Sequence, residues 1–349
     1  MINNSFFSTE ILRWFRENGR DLPWRETKDP YAIWLSEIIL QQTRIVQGWE
    51  YWERFMQTYP KVEDLAAASE DDVLKLWQGL GYYSRARNLH AAAKQIVALG
   101  SFPNTLDGIK SLKGVGDYTA AAIGSFAFDI PAAVVDGNVY RVLSRYFGID
   151  TPINSTQGKK EFAALAQSLL PASDAASYNQ GMMDFGAIQC TPQSPKCLLC
   201  PLAETCEALR CGRVEELPIK NKTVKVKTRH LSYIYIRCKS SAADGAGNSE
   251  PMVAIHRRGE GDIWQGLWEP YNVSDVKELP SFVKNPILLA KDVKHVLTHR
   301  ILLADFYLLE TETCPQLPDD YIWIKESEIE DYGVPRLIEI MLEKINPAE

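Results

Sequence analysis

Residues 190–206 read CTPQSPKCLLCPLAETC, and the four cysteines of this stretch, Cys190, Cys197, Cys200 and Cys206, are spaced C-x6-C-x2-C-x5-C. Four thiols in so short a loop are typical of a metal site. Two disulfides would be the alternative. No basic and apolar signal stretch opens the sequence, so we expect a reducing compartment and thiols that are free to bind a metal. Zinc and a [4Fe-4S] cluster both take four cysteine ligands, and the spacing alone does not separate them.

The cysteine loop divides the chain into two regions of different character. Residues 5–210 place apolar side chains at intervals of three and four, which predicts helices, and Ser69 with Asp72 predicts a capping box. Residues 212–230 have no such period and read as a linker. Beyond them, apolar and β-branched runs predict strands at 231–237, 252–256, 301–309 and 321–324, a loop at 240–250 and a closing helix at 335–345. We therefore predict an all-α domain at 1–211 and an α+β domain at 231–349.

Length and charge exclude some function classes. A chain of 349 residues suggests two domains. Its longest apolar run, at 120–135, is broken by Ser125, Asp129 and Pro131 and cannot span a bilayer as one helix. The net charge of −7 comes from residues 310–331, which hold eight carboxylates and one lysine. Basic residues cluster elsewhere, at 85–87, 110–113, 141–145 and 220–229, so a local phosphate-binding surface remains compatible with the negative total.

A glycine-rich turn lies between two predicted helices. Residues 112–120 read LKGVGDYTA, and Gly114 and Gly116 permit a tight turn whose backbone N–H groups converge at the start of a helix. Such a turn binds an anion, although a Gly-x-Gly sequence alone is more often a simple connector. Together with the cysteine loop about seventy residues later, the turn resembles the helix-hairpin-helix of DNA glycosylases, and this resemblance implies that its anion is a DNA phosphate.

Two carboxyl groups are candidates for acid chemistry. On a helix, Glu37 would lie beside Ile33, Trp34 and Leu40, which are apolar. A carboxyl held there is poorly hydrated, which raises its pKa and suits a general acid near neutral pH; alternatively it reaches water at the edge of the fold. Asp136 precedes a predicted helix and is expected to cap it. Cleavage of a glycosidic bond requires such a pair, one group to donate a proton and one to face the developing cation.

The whole chain resembles the MutY-type adenine DNA glycosylases of the endonuclease III superfamily. The resemblance is carried by LPWR at 22–25, SEIILQQT at 36–43, GLGYYSRARN at 79–88, the glycine turn, DGN at 136–138, NQ at 179–180 and the four cysteines. It implies an all-α helix-hairpin-helix glycosylase domain, made of a six-helix module and an iron-sulfur module, followed by a Nudix-like domain. It also implies a [4Fe-4S] cluster rather than zinc.

The resemblance further implies roles for individual residues. Glu37 would protonate adenine N7, and Asp136 would stabilise or capture the sugar cation, with Tyr118 and Asn138 assisting. Arg25 and Gln180 would contact the flipped adenine, while Gln42 and Tyr82 would wedge into the base stack; Tyr83 is expected in the core. Lyase-competent relatives carry a Schiff-base lysine where this chain has Tyr118, and a phenol cannot form an imine. The expected enzyme is therefore monofunctional.

The second domain resembles the Nudix-like domain of the same family through VAIHRR at 253–258 and IWQGLWEP at 263–270. The acidic box that binds magnesium in Nudix hydrolases is missing after Pro270, so pyrophosphate hydrolysis is not expected. The resemblance implies that Thr298 and His299 read 8-oxoguanine. Relatives often have Phe-Ser-His where this chain has Leu297, Thr298 and His299.

We expect a monomer in a bacterial cytoplasm that acts on duplex DNA holding 8-oxoguanine:adenine or guanine:adenine mispairs. Two other classes of protein compete with this hypothesis. A non-catalytic DNA-binding protein would keep the cluster and the glycine turn, but it would have no need of both Glu37 and Asp136. A nucleotide pyrophosphohydrolase would need the acidic box that this sequence lacks.

Overall fold

The computed structural model describes residues 4–221, 226–239, 250–273 and 282–346. Most of the loop predicted at 240–250, and residues 222–225 of the predicted linker, lie outside the described residues. The chain forms two compact units, one of Met1–Ala66 with Ala91–Thr223 and one of Ala67–His90 with Val224–Glu349. This division differs from the predicted domains at 1–211 and 231–349, because Ala67–His90 belongs to the second unit.

The chain up to residue 221 is helical, as the apolar periodicity predicts. Its α-helices are α1 (Asn4–Asn18), α2 (Pro30–Ile39), α3 (Ile45–Thr58), α4 (Val62–Ala67), α5 (Glu70–Leu76), α6 (Ser84–Leu99), α7 (Leu106–Lys110), α8 (Asp117–Phe128), α9 (Gly137–Phe147), α10 (Thr156–Leu169), α11 (Ala175–Asp184) and α12 (Glu207–Arg210). Short 3-10 turns lie at Pro23–Arg25, Cys197–Leu199 and Ala203–Thr205. A π-helical turn, Phe185–Gln189, extends α11 up to the first cysteine of the loop.

Local sequence explains where the helices near the site begin. Helix α2 starts at Pro30, and the side chain of Asp29 before it accepts a hydrogen bond from the Tyr31 N–H at 3.0 Å. Nine of the ten residues of α2 are buried, so a carboxyl within this helix loses most of its water. The N-cap of the capping box predicted for α5 is confirmed, since the Ser69 hydroxyl accepts from the Asp72 N–H at 3.0 Å. The box itself is incomplete, because the Asp72 carboxylate accepts from the Ser69 hydroxyl and not from the Ser69 backbone N–H.

The core of the first unit packs α1 against α9, α10 and α11. Its fully or nearly fully buried members include Phe7, Ile11, Leu143 and Phe162. A second cluster joins α2 to α8 through Ile33, Ala122, Phe126 and Val134. These two clusters hold α2, α8 and the start of α9 around one cavity.

The second unit contains a seven-stranded sheet. Its strands are β1 (Lys227–Cys238), β2 (Met252–Arg257), β3 (Trp268–Glu269), β4 (Tyr271–Asn272), β5 (Ile287–Val296), β6 (Arg300–Thr311) and β7 (Tyr321–Lys325). The strand order is β3-β2-β1-β6-β5, with β4 paired to β1 and β7 paired to β2. Strands β1 and β6 are parallel, and the other pairs are antiparallel. Helix α13 (Arg336–Ile345) buries Leu337, Ile338 and Met341 against the sheet.

The strands differ from the prediction in three places. Strand β1 begins at Lys227, inside the predicted linker, because its pairing with β6 runs from Lys227↔Arg300 to Cys238↔Thr311. Strand β5 was not predicted; it is an edge strand, and its register slips between Leu288 and Ala290 and again before Val293, which breaks the alternation of apolar and polar side chains. The short strands β3 and β4 were also not predicted. Cys238 and Cys314 form a disulfide in this unit.

The basic clusters at residues 85–87 and 141–145 do not form the exposed surface that the sequence suggested. Arg85, Arg141 and Arg145 are 9%, 8% and 2% exposed. Arg145 donates to the carbonyl oxygens of Leu217, Thr191 and Pro192 at 3.1, 2.7 and 3.1 Å, so its charge serves the backbone of the cysteine loop. Across the described ranges, none of the helices is both long enough and apolar enough to cross a membrane.

Candidate active site

A cavity of about 590 Å³ opens between α2, α8, α11 and the start of α9 in the first unit. It gathers seven of the residues predicted for the site: Arg25, Glu37, Gln42, Tyr118, Asp136, Asn138 and Gln180. These residues come from positions 25 to 180 of the sequence, so the fold brings together the catalytic and base-contacting groups that the resemblance implied. An apolar wall of Leu22, Trp24, Ile33 and Met183 completes the cavity.

Glu37 is the most buried carboxyl of this cavity, with 8% of its surface exposed. Burial raises the pKa of Glu37 to about 7; a hydrogen bond from the Tyr118 hydroxyl opposes the rise, the charge of Asp136 adds to it, and that of Arg25 opposes it. The Tyr118 oxygen lies 3.0 Å from Glu37 Oε2. Burial and the neighbouring Glu37 also hold the pKa of Tyr118 well above its usual value, so the phenol keeps its proton. A carboxyl with this pKa carries a transferable proton at neutral pH.

Asp136 caps α9, as predicted. Its Oδ1 accepts from the Val139 N–H at 2.8 Å and its Oδ2 from the Asn138 side-chain amide at 2.7 Å. Burial raises the pKa of Asp136, but these hydrogen bonds and the charge of Arg141 oppose the rise. These two donors at the positive end of a helix favour the ionised form of this carboxyl. The cavity therefore holds one carboxyl that tends to keep its proton and one that is stabilised as an anion.

Two buried charged residues support the site and were missed by the sequence reasoning. Arg141 donates to Asn138 Oδ1, to the Gly186 carbonyl and to the Cys190 carbonyl, each at 2.7 Å, and so joins the cap of α9 to the cysteine loop. Asp184 receives Arg25 through both carboxylate oxygens at 2.8 Å and also receives Arg20. Burial would raise the pKa of Asp184, but the hydrogen bonds from Arg25 and Arg20 outweigh it and the pKa is lowered.

Only the spacing within helices could have indicated these two residues. Arg141 lies three residues after Asn138, and Asp184 lies four residues after Gln180, so each pair shares a helix face. In the sequence, Arg141 instead looks like part of a basic cluster at 141–145.

Tyr82, Thr298 and His299 lie outside this cavity, in the second unit. Tyr82 is 46% exposed, and its hydroxyl is 2.5 Å from the Thr298 hydroxyl. Thr298 and His299 are exposed in the turn between β5 and β6. Tyr83 is 6% exposed, as a core aromatic should be.

The two residues predicted to wedge into DNA, Gln42 and Tyr82, both have left-handed backbones, with φ of 57° and 49°. Residues other than glycine rarely adopt this backbone conformation, and where they do it is concentrated at functional sites.

The glycine turn lies directly before α8. Gly114 has a φ of 78°, which residues with a side chain rarely adopt. Gly116 is the N-cap residue of α8 and has no side chain that could cap the helix. A Cβ atom placed on Gly116 would meet no protein atom within 4 Å. The glycine is therefore not required by packing within the protein, and the exposed first turn of α8 is open to a close-lying anion.

The four cysteines of the loop line one small cavity, beside Arg145 and Lys196. Arg145 Nη1 lies 3.5 Å from Cys190 Sγ. Among the described residues, no three His, Cys, Asp or Glu side chains converge closely enough to hold a single metal ion. A [4Fe-4S] cluster takes four cysteine thiolates as ligands, which is the set of donors that this small cavity offers.

Comparison with known proteins gives the class of the chain. Residues 35–171 match the HhH-GPD superfamily of base excision DNA repair proteins, residues 190–206 match the iron-sulfur binding domain of endonuclease III, and residues 247–344 match a NUDIX domain. A solved structure of a thermostable thymine-DNA glycosylase superposes with a TM-score of 0.56 at 34% identity, over 60% of this chain and 97% of that one. The chain is thus a helix-hairpin-helix base excision repair glycosylase with a Nudix-like second domain, as predicted.

The family follows from relatives named adenine DNA glycosylase, one of which matches nearly the whole chain. The chain is 31% identical to the adenine DNA glycosylase of Buchnera aphidicola from Schizaphis graminum, over 97% of this chain and 98% of the relative. It is 42% identical to the mouse adenine DNA glycosylase over 226 residues, which is 61% of this chain and 44% of the mouse protein. The chain belongs to the adenine DNA glycosylase family. It carries a [4Fe-4S] cluster, which confirms the choice of cluster over zinc.

Proposed function

We propose that this enzyme hydrolyses the N-glycosidic bond of adenine paired with 8-oxoguanine or guanine in duplex DNA, and that it leaves the sugar-phosphate strand intact. The observation that carries the proposal is the pairing of Glu37 and Asp136 on one cavity, with the pKa of Glu37 raised by burial to about 7. A carboxylate beside a protonated carboxylic acid is the arrangement that glycosidic cleavage uses. The cavity volume of about 590 Å³ also exceeds what a single extruded base requires.

Glu37 supplies the proton. Its carboxyl transfers a proton to N7 of the extruded adenine, and the electron pair of the C1′–N9 bond then leaves with the base as a neutral purine. Without this proton, the leaving group would be an adenine anion. The Tyr118 hydroxyl donates to Glu37 Oε2, which fixes one oxygen of this carboxyl.

Asp136 stabilises the positive charge that develops on the sugar as the bond breaks. Water then adds at C1′ and gives its proton to the ionised Glu37; if the Asp136 carboxylate adds to C1′ first, water displaces it and restores the free carboxylate. Asn138 holds Oδ2 of this carboxylate in place at 2.7 Å, and Arg141 holds Asn138. The residues that line the cavity include no lysine within the described chain. No amine is therefore at hand to form an imine with the sugar, and Tyr118 cannot form one, so we propose that strand cleavage by β-elimination does not occur.

Arg25 and Gln180 contact the extruded adenine in this proposal, with Asp184 orienting the guanidinium of Arg25. Gln42 and Tyr82 fill the space that the adenine vacates beside the opposite base. Thr298 and His299 read that base from the second unit, and the Thr298 hydroxyl already contacts Tyr82 there. A hydroxyl and an imidazole offer both a donor and an acceptor to the edge of 8-oxoguanine.

The turn with Gly114 and Gly116 binds a DNA phosphate through the backbone N–H groups at the start of α8. The ligands of the [4Fe-4S] cluster are Cys190, Cys197, Cys200 and Cys206. A cluster held by these four thiolates would cross-link the loop that contains Cys190, and Arg141 donates to the backbone carbonyl of Cys190.

The proposal is tested by incubating the enzyme with a duplex that holds one 8-oxoguanine:adenine pair. Each sample is then divided into two halves, and only one half is treated with hot alkali. We expect strand breaks at the adenine only after alkali. An Asp136→Asn variant serves as the control for contaminating activity. Binding without alkali-labile sites would leave a non-catalytic DNA-binding protein, and breaks without alkali would disprove the monofunctional mechanism. Thr298→Val should reduce the preference for 8-oxoguanine over guanine by about tenfold while excision from guanine:adenine persists; equal losses on both pairs would contradict its role.

A further inference from the structure

The turn that presents Tyr82 has an unusual backbone. Between α5 and α6, three residues have positive φ: Gly79 at 95°, Gly81 at 72° and Tyr82 at 49°. The two glycines adopt this conformation readily, but tyrosine does not. The surrounding structure must therefore hold Tyr82 in place, and Tyr82 is also the most exposed aromatic side chain of this turn, at 46%.

Arg85 makes the contacts that hold this turn. Its guanidinium carbon lies 5.1 Å from the ring centroid of Trp77 and 5.5 Å from that of Tyr82. Its Nη2 donates to the carbonyl oxygens of Leu80 and Gly81 at 3.4 and 3.3 Å. The Gly81 carbonyl also accepts from Trp77 Nε1 at 3.0 Å. One side chain thus contacts both the carbonyls of the turn and the ring that the turn presents.

Arg85 remains a cation in this setting. It is 9% exposed, and burial lowers the pKa of Arg85 to about 10, which is still well above neutral pH. A partly desolvated cation over an aromatic face is held more strongly than one in water. A planar guanidinium can rest on two rings and donate in its own plane at once, whereas the ammonium of lysine cannot.

We infer that Arg85 is a positioning residue for base extrusion: it holds Tyr82 in the orientation in which the ring enters the DNA stack. The inference rests on the proposed wedge role of Tyr82 and extends it to a residue that would never touch DNA. Arg85 acts before the chemical step, so its loss should slow the opening of the base pair and leave the acid chemistry of the cavity unchanged.

The test is a double-mutant cycle of Arg85→Lys and Tyr82→Ala, read by single-turnover excision from an 8-oxoguanine:adenine duplex. We expect Arg85→Lys to slow excision by about tenfold, the size of effect that a desolvated cation–π contact and its hydrogen bonds allow. Tyr82→Ala should slow it by at least as much. The double variant should match Tyr82→Ala to within about twofold, because Arg85 acts through Tyr82.

A second readout separates positioning from chemistry and from folding. With 2-aminopurine in place of adenine, fluorescence rises when the base leaves the stack, whether or not it is excised. Arg85→Lys should reduce the rate of this rise by about tenfold at unchanged iron content and melting temperature. Arg85→Gln keeps an amide donor for the turn carbonyls without the cation and should show a loss of similar size; it replaces Arg85→Lys if the lysine variant does not fold. Arg54→Lys is the matched control. The guanidinium carbon of Arg54 lies 4.1 Å from the ring centroid of Tyr51, and Arg54 is exposed on α3. The substitution should change neither readout by more than about twofold.

The outcomes distinguish this inference from the proposed function. If Tyr82→Ala excises and opens the pair like the parent enzyme, the wedge role of Tyr82 is wrong and the inference falls with it. If Tyr82→Ala is slow but Arg85→Lys is not, or if the two losses multiply in the double variant, Tyr82 remains the wedge and the positioning role of Arg85 is overturned.

Discussion

The raised pKa of Glu37 makes the pH dependence of excision the most direct test of the acid role. An ordinary glutamic acid, with a pKa of 4.5, keeps its proton in about 0.3% of molecules at pH 7, because each pH unit above the pKa reduces the protonated fraction tenfold. Burial raises the pKa of Glu37 to about 7, so about half of the molecules carry the proton there. Burial thus increases the active form of the acid by roughly 150-fold at neutral pH.

The rate should follow this protonated fraction. We expect single-turnover excision to be fast near neutral pH and to fall by about tenfold per pH unit above about pH 8. The rate should also fall on the acid side, since Asp136 must be ionised to stabilise the sugar cation. Because burial raises the pKa of Asp136 as well, this acid limb should lie above the range of an ordinary aspartate. The profile is therefore bell-shaped and narrow.

Glu37→Gln removes the proton but keeps the size and polarity of the side chain. It should reduce excision by about 10² to 10⁴-fold, the usual contribution of a general acid, and the remaining activity should lose the alkaline limb. Duplex affinity should stay close to that of the parent. Glu63→Gln, an exposed glutamate on α4, is the matched control and should leave the profile unchanged. A flat rate between about pH 6 and about pH 9 in the parent, or excision by Glu37→Gln at a comparable rate, would refute the assignment.

Two further predictions follow from the same structure. Glu37→Gln should stabilise the fold above neutral pH. In the parent enzyme, the Glu37 carboxyl is protonated in both the folded and the unfolded chain below pH 4.5, and between 4.5 and about 7 it ionises only in the unfolded chain. Above about pH 7 it is also ionised in the folded chain, and the buried charge then lowers the free energy of unfolding by at most about 3 kcal/mol. Thermal unfolding at about pH 5 and about pH 8 checks this, and a gain of equal size at both would contradict it. Purified protein should contain about four irons per chain with a broad visible absorption band, and Cys200→Ser should lose both; stoichiometric zinc without iron would overturn the cluster.

The sequence predicts the burial of Glu37 and the helix cap at Asp136 because local patterns determine the immediate surroundings of both residues. The run of apolar residues around Glu37 is long enough to bury α2, and the burial of a carboxyl follows from its position within that run. The cap at Asp136 is equally local, since an N-cap aspartate needs only the backbone N–H groups that follow it. The positions of these elements around one cavity, in contrast, rested on the family resemblance.

What the sequence does not predict depends on contacts between distant residues. Arg141 and Arg145 look like a basic surface in the sequence, yet both are buried because carbonyls of the π-helical turn and of the cysteine loop need donors. The assignment of Ala67–His90 to the second unit is another example, since this segment has the same helical periodicity as its neighbours. Strand β5 was missed because its register shifts remove the alternation on which strand prediction relies.

The two carboxyls of the cavity show how one buried site can hold an acid and an anion at the same pH. Burial raises the pKa of both Glu37 and Asp136, so desolvation alone would not assign their roles. The difference lies in their donors: Glu37 accepts one phenolic hydrogen bond, whereas Asp136 accepts the Val139 N–H and the Asn138 amide at the start of a helix. The helix cap, a common structural feature, thus separates the two protonation states. Removing the Asn138 amide should therefore bring the two pKa values closer together and narrow the pH range in which the enzyme is active.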